Sequence, residues 1–313
     1  MAEARRRTTI VTGGAGFIGS HVADAFLELD HDVVVVDDLS TGRRENVPVA
    51  ASVEELDIVD GERLRALFER VKPAVVCHLA AQSSVTVSVA DPQRDLEVNV
   101  RGTFNVCDAA RLVDAAVVFA STGGALYGNA APVPTPEEHP PAPLAPYGAS
   151  KQAGEAYVGT WGRFYGLPNV VLRLGNVYGP RQNPHGEAGV VAIFSDRMLS
   201  GEPPVLYGNG TPTRDYVHVH DVARAFVAAA QGARAGTYNV GWGIETSVRE
   251  LLNVLRPLVD DSPEPRLAPL RPGELQRSAL DSTKIERELG WQPQIPLQRG
   301  VVETFRAYAG LHS

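Results

Sequence analysis

The sequence predicts an α/β protein built on a doubly wound parallel sheet, with a smaller C-terminal α/β domain that binds substrate. Three observations carry that expectation. Short β-branched runs alternate with longer segments of helical period through the first half. The runs 33–36, 74–77 and 116–119 are apolar on successive residues, as strands covered on both faces must be. After residue 174 the pattern changes, and glycine and proline punctuate shorter elements.

Taken in order, the first strand runs into Thr12, and helices are expected at about 17–29, 61–70 and 95–112, the last entered through Asp91-Pro92. Right-handed crossovers follow by rule. The proline-rich stretch 132–146 reads as a surface loop before a helix opening near Tyr147. A sixth strand is expected at 169–174, then a helix at about 190–199, a strand around 216–219 and terminal helices near 247–258 and 297–309. The strand at 216–219 and the apolar helix after Asp221 resemble a βα unit returning to the main sheet. The expected division is 1–174, with a returning segment at about 212–242, against 175–211 and 243–313.

A chain of 313 residues has room for about two domains at roughly 150 residues each. Its 44% hydrophobic and 21% charged residues leave disorder, collagen and coiled-coil readings without support. A formal net charge of -8 runs against binding to nucleic acid or an anionic membrane. Cys77 and Cys107 each sit in an apolar segment and read as small buried hydrophobes, so no metal is assigned. Arg5-Arg6-Arg7 is followed by too short an apolar run for an export signal, and no run approaches a bilayer span, so a cytoplasmic protein is expected.

Thr12-Gly13-Gly14-Ala15-Gly16-Phe17-Ile18-Gly19 joins the first strand to the first helix and fits the Rossmann dinucleotide fingerprint. Glycines there allow a tight turn, close backbone approach to a pyrophosphate and tight helix packing, while the helix N-terminus offers free N–H groups. Asp37, eighteen residues after Gly19, stands where a carboxylate accepts both adenosine ribose hydroxyls and repels a 2′-phosphate, which favours NAD over NADP. Arg43 and Arg44 read as a solvated loop.

Tyr147 and Lys151, four apart on a predicted helix, share one face. A phenol with a pKa of about 10 becomes a useful base near pH 7 only if that value falls by roughly three, about 4 kcal/mol. An ammonium about 4 Å away supplies roughly that amount.

At these residues the chain resembles the extended short-chain dehydrogenase/reductases and, within them, the UDP-glucose 4-epimerase family. Nearly the whole chain takes part: Thr12 to Gly19, Asp37-Asp38-Leu39-Ser40, Asp57-Ile58, His78-Leu79-Ala80-Ala81, Asn99, Tyr147 with Lys151, Arg173-Leu174-Gly175-Asn176, Arg214-Asp215-Tyr216 and Arg271-Pro272-Gly273-Glu274. The resemblance implies that Gly13, Gly16, Phe17, Ile18, Gly19, Asp37, Asp38, Asp57, Ile58, Leu79, Ala80, Ala81, Asn99, Tyr147 and Lys151 lie around NAD. It implies that Asn176, Arg214 and Arg271 hold a UDP diphosphate, that Tyr207 stacks near uracil, and that Val191, Glu274 and Ser278 complete the sugar site. It further implies a homodimer through the helices around 95–112 and 147–165.

The resemblance also implies a cycle in which Tyr147 removes the O4 proton, a 4-keto sugar forms and turns, and Tyr147 returns the proton with the centre inverted. Family members usually carry a Ser or Thr four residues before the tyrosine of a Tyr-Gly pair; Gly123 stands there, so Thr122, with Ser121 behind it, becomes the expected partner of the sugar O4. Dehydratases and decarboxylases place an acid in this loop, where Gly124 and Ala125 stand. Ser278 is small enough to leave room for an N-acetyl group, which adds UDP-GlcNAc/UDP-GalNAc to UDP-Glc/UDP-Gal. The competing readings are a UDP-glucuronate 4-epimerase, a dehydratase or net oxidoreductase on the same scaffold, and a catalytically silent NAD sensor.

Overall fold

The computed structural model describes residues 6–129, 131–185, 189–232, 234–270 and 275–312. The first half alternates as its hydrophobic periods require: β1 (Thr8–Thr12), α1 (Phe17–Glu28), β2 (Asp32–Asp37), β3 (Ser52–Glu55), α2 (Gly61–Val71), β4 (Val75–His78), α3 (Val85–Ala90), α4 (Pro92–Leu96), α5 (Thr103–Arg111), β5 (Ala116–Thr122), α6 (Pro146–Tyr165) and β6 (Val170–Leu174). The remainder comprises β7 (Asn176–Tyr178), α7 (Val190–Leu199), β8 (Val205–Tyr207), β9 (Thr213–Arg214), β10 (Tyr216–His218), α8 (Val219–Gln231), β11 (Gly236–Val240), β12 (Thr246–Ser247), α9 (Val248–Leu255), β13 (Arg266–Ala268), α10 (Thr283–Leu289) and α11 (Leu297–His312).

Seven parallel strands form the main sheet in the order β11-β6-β5-β4-β1-β2-β3. The winding reverses between β1 and β4, so a crevice opens at their carboxyl ends, where doubly wound sheets bind ligands. One face is closed by α1 and α8 through Val22, Phe26, Val222 and Phe226. The other is closed by α2, α5 and α6 through Leu64, Phe68, Val106 and Val158. Each such side chain contributes about 1.5–3 kcal/mol by leaving water. A third core, with Phe194, Met198, Leu251, Leu255 and Phe305, holds the smaller lobe together.

Two expectations need correction. The strand around 216–219 does not enter the main sheet: β10 pairs with β7 in a separate two-stranded unit. The chain returns through β11, which pairs with β6 from Gly236↔Val170 to Val240↔Leu174. Tyr216 and Val217 are apolar enough to suggest a sheet strand, but the edge beside β6 is already filled. The helix expected at 95–112 begins earlier, at Pro92 with Asp91 as its cap, and carries a π-helical stretch, Glu97–Gly102, that periodicity alone did not show. Cys77 and Cys107 are buried and free, as the apolar runs required.

Candidate active site

The nucleotide cradle is made of backbone. Gly13 turns with φ +70, and a Cβ there would stand 2.6 Å from the Ala80 nitrogen. A Cβ on Gly19 would strike the Gly13 carbonyl, so only glycine lets α1 start this close to β1. The first turn of α1 has neither a side-chain cap nor an acid, which leaves its N–H groups free for an anion. Phe17 and Ile18, partly buried, flank that turn.

At the end of β2, Asp37 is buried, and its two oxygens accept N–H bonds from Ala15 at 3.0 Å and Leu39 at 2.9 Å. Burial raises its pKa above the usual carboxylate range while those bonds act against the rise. Each oxygen keeps a further lone pair for a ribose hydroxyl. Asp38 is exposed and caps Ser40 instead. Arg44 is held by Glu55 at 3.1 Å, on the solvated loop expected for it. The turn Leu79-Ala80-Ala81 after β4 is latched to β1, since the Thr12 hydroxyl bonds the His78 ring at 2.7 Å and accepts the Leu79 and Ala80 N–H groups. Asp57 is exposed, whereas Ile58 is buried against Gly102.

Asn99 lies in the π-helical stretch, where an altered hydrogen-bond ladder often accompanies a functional site. Its amide nitrogen reaches Gln82 O at 2.9 Å, Asp95 at 3.0 Å and Ser150 at 3.1 Å, and its oxygen accepts the Gln82 N–H. With 1% exposure it shapes the cleft from beneath.

Pro146 opens α6, and Tyr147 and Lys151 project one turn apart from its first turns. The Tyr147 hydroxyl faces the Thr122 side chain at the end of β5, and Thr122 Oγ1 accepts the Ala125 N–H at 3.2 Å. Lys151, 3% exposed, donates to the Ala120 carbonyl at 3.0 Å and stands 4.8 Å from the centre of the Phe119 ring. The expected electrostatics do not hold in the chain alone. Burial pushes the Tyr147 phenol up to about 12, with Asp95 adding to the rise and the Thr122 bond opposing it. Burial likewise lowers the Lys151 ammonium to about 8. Burial, with Asp95, outweighs any help from the ammonium one turn away.

The two loop hydroxyls separate cleanly. Ser121 is buried and donates to Glu155 at 2.5 Å, so Thr122 is the one that meets Tyr147. Gly123 could not carry a hydroxyl side chain as the loop stands, because a Cβ would lie 2.5 Å from the Leu280 methyl. Asn176 faces this loop, its side-chain oxygen 3.6 Å from where a Gly124 Cβ would be.

On the sugar-nucleotide side the predicted residues scatter. Arg214 donates to the carbonyls of Thr213 and Leu275, both at 2.8 Å. Tyr207, partly buried, ends β8. Ser278 is buried on the strip whose neighbours Ala279 and Leu280 pack against Thr135, Asp215 and Gly123. Val191 is fully buried in the core of the smaller lobe, so its side chain serves packing and does not line the cleft. Arg271 and Glu274 lie outside the described residues.

Sequence reasoning passed over three supports. Asp95, 1% exposed, fixes Gln82 and Asn99; its spacing of four from Asn99 on a helix was the available signal. Arg173 and Glu155 form a buried bidentate pair that also holds Tyr127 at 2.8 Å. Asp215, fully buried, accepts N–H bonds from Trp242, Gly243 and Leu280.

Relatives are similar along the full chain. A UDP-glucose 4-epimerase of Mycolicibacterium smegmatis is 48% identical, covering 95% of this chain and 96% of its own. The crystal structure of UDP-glucose 4-epimerase with UDP-glucose from Thermotoga maritima superposes with a TM-score of 0.94 at 42% identity, over 98% of this chain and 100% of that one. The Thermus thermophilus UDP-glucose 4-epimerase complex with NAD gives 0.91 at 45% identity, over 97% and 99%. The sequence model of the NAD dependent epimerase/dehydratase family matches residues 9–241, and the chain belongs to that family.

Proposed function

We propose that this chain is an NAD-dependent UDP-hexose 4-epimerase. One observation carries the reading: a phenol on α6 facing a hydroxyl at the end of β5, with a buried ammonium one helical turn away, at the carboxyl end of the sheet that also holds an uncapped glycine-rich helix start. The names of the relatives, one structure with UDP-glucose and another with NAD, point the same way.

The cradle fits a dinucleotide, since the glycines leave the space that a Cβ would fill and Asp37 keeps open lone pairs for a ribose. Gly13, Gly16, Gly19 and the start of α1 would hold the pyrophosphate, and Lys151 and the turn 79–81 would flank the rest. When bound, NAD supplies the acceptor and donor of the two electrons that leave and return to the sugar carbon. The residues of the chain manage the proton. Tyr147 Oη takes it from the sugar hydroxyl and returns it, and Thr122 orients both oxygens. Because burial holds the phenol near 12, ionisation near pH 7 requires an added positive charge, which a cationic nicotinamide would bring. Asn176 and Arg214, with Arg271 from the resemblance, would anchor the diphosphate away from the reacting carbon and let the hexose turn.

We assign UDP-Glc/UDP-Gal first, with UDP-GlcNAc/UDP-GalNAc admitted by the small Ser278. A glucuronate carboxylate is less well served, because Ser121 is already committed to Glu155. The test incubates purified protein with UDP-Gal, UDP-GalNAc and UDP-GlcA separately, without added cofactor, and separates isomers. Products of unchanged mass from the first two support the reading. A changed mass or a need for stoichiometric oxidant overturns it.

We also assign a homodimer through α5 and α6. Phe104, Tyr157 and Trp161 pack edge-to-face across these helices, and Tyr157 remains 36% exposed. Among the described residues no helix is long and apolar enough to cross a membrane. Sedimentation should give twice the chain mass, falling to one chain in Tyr157→Arg.

A further inference from the structure

Away from the cleft, three metal-ligating side chains converge where α11 crosses the start of α8. His218 ends β10, His220 lies in the first turn of α8, and Glu303 projects from α11. One ligand atom from each lies within 4.8 Å of the others, and His220 Nδ1 is 3.6 Å from Glu303 Oε1. Tetrahedral zinc bound at about 2.0–2.2 Å keeps its ligands roughly 3.3–3.5 Å apart, so the closest pair already has the spacing and the third needs about an ångström of ring movement.

A second observation points to a ligand. His218 is fully buried: its Nδ1 accepts the His220 N–H at 3.4 Å as the cap of α8, while its Nε2 has no hydrogen-bond partner among the described residues. Buried ring nitrogens are rarely left so, because an unmet polar group there costs about 1–3 kcal/mol. The fold presses α11 onto this ring: Gly300 lacks a Cβ that would stand 2.9 Å from the His218 Cδ2 and would overlap the Tyr178 hydroxyl. His220 and Glu303 remain 46% and 38% exposed, which gives an ion a way in and leaves water access for a fourth ligand. Of the fixed charges reaching His218, Asp221 favours a cation and Arg299 opposes it; His21, edge-on to His220 at 4.9 Å, forms the remaining wall.

We infer that His218, His220 and Glu303 form a binding site for one divalent transition-metal ion of the zinc class, completed by water. Two imidazoles and a carboxylate suit zinc, cobalt and nickel and do not suit magnesium. The ion would tie α11 to the junction of β10 and α8, which packs against α1, and so join the smaller lobe to the cofactor-binding half. The cysteines give no sign of this site, whose ligands come from two segments more than eighty residues apart.

The test uses tag-free, chelator-treated full-length protein titrated with Co2+, read by visible absorption, with Zn2+ as competitor and Mg2+ as control. One Co2+ per chain, displaced by Zn2+ and accompanied by a higher thermal midpoint, is expected. His220→Gln and Glu303→Gln should each weaken binding by at least about tenfold. Both positions are partly exposed, so metal-free thermal midpoints and isomer turnover should stay near those of the parent, which separates a lost ligand from a lost fold. Absence of stoichiometric binding, or binding undiminished in both variants, would overturn the inference.

Discussion

The cofactor cradle and the sugar side of the cleft are built by different means. The cradle is contiguous, from β1 through α1 to β2, and its key contacts are backbone against backbone, so glycine identity decides the fit. The sugar side is assembled from β5, the loop after it, β7, β9 and the strip near Leu280, joined by two buried charged centres: the Arg173–Glu155 pair and Asp215. A region made of backbone geometry tolerates little change in residue size. A region made of distant side chains depends on every partner being present.

The groups proposed to react sit at the seam between the two, and the sharpest way to break the comparison is there. Tyr147→Phe should lower turnover by roughly 10²–10⁴-fold while NAD stays bound, measured by steady-state kinetics and cofactor fluorescence. Retained turnover would remove the phenol from the chemistry. Next in size, Arg173→Leu leaves the Glu155 carboxylate buried without its countercharge, held only by the Ser121 hydroxyl, with both side chains of the pair under 10% exposed, and should cost about 3–5 kcal/mol in urea unfolding. Adding Glu155→Leu should restore much of that loss; if the double variant is no more stable, the pair does not act as a unit.

A smaller effect sharpens the division between the two hydroxyls. Thr122→Val should lower turnover by about tenfold and Thr122→Ser should not, whereas Ser121→Ala should show itself in stability. Equal kinetic losses at both positions would erase that distinction. The smallest effect is a pH slope. His21 and His78 are buried, with burial lowering them to about 4 and about 3, so the unfolded chain takes up protons first as pH falls below about 6.5. Stability is therefore fully present above that value and is lost on acidification, by roughly 1 kcal/mol per histidine between pH 6.5 and 5.5. His21→Gln should reduce the slope.

The same contrast explains what the sequence made legible. The glycine run, Asp37, the βα alternation and the Tyr147/Lys151 spacing are local patterns, and each is found where its period placed it. The pairing of β11 with β6 was not legible, because Tyr216–His218 carries an equal apolar signal and only tertiary packing selects between them. The electrostatics of Tyr147 are illegible for a related reason: spacing places an ammonium one turn away but gives no sign of how the phenol is buried or that Asp95 acts on it. Loop position ranks Thr122 ahead of Ser121, but the partner that takes the Ser121 hydroxyl, Glu155, lies thirty-four residues away and beyond any local pattern.

The contact between Gly123 and Leu280 ties two distant positions into a single choice. Grafting the more usual serine onto residue 123 would push the buried Leu280 methyls aside, next to the strip carrying Ser278. Engineering of sugar preference here must treat loop and strip as one inherited unit, altered jointly or left alone.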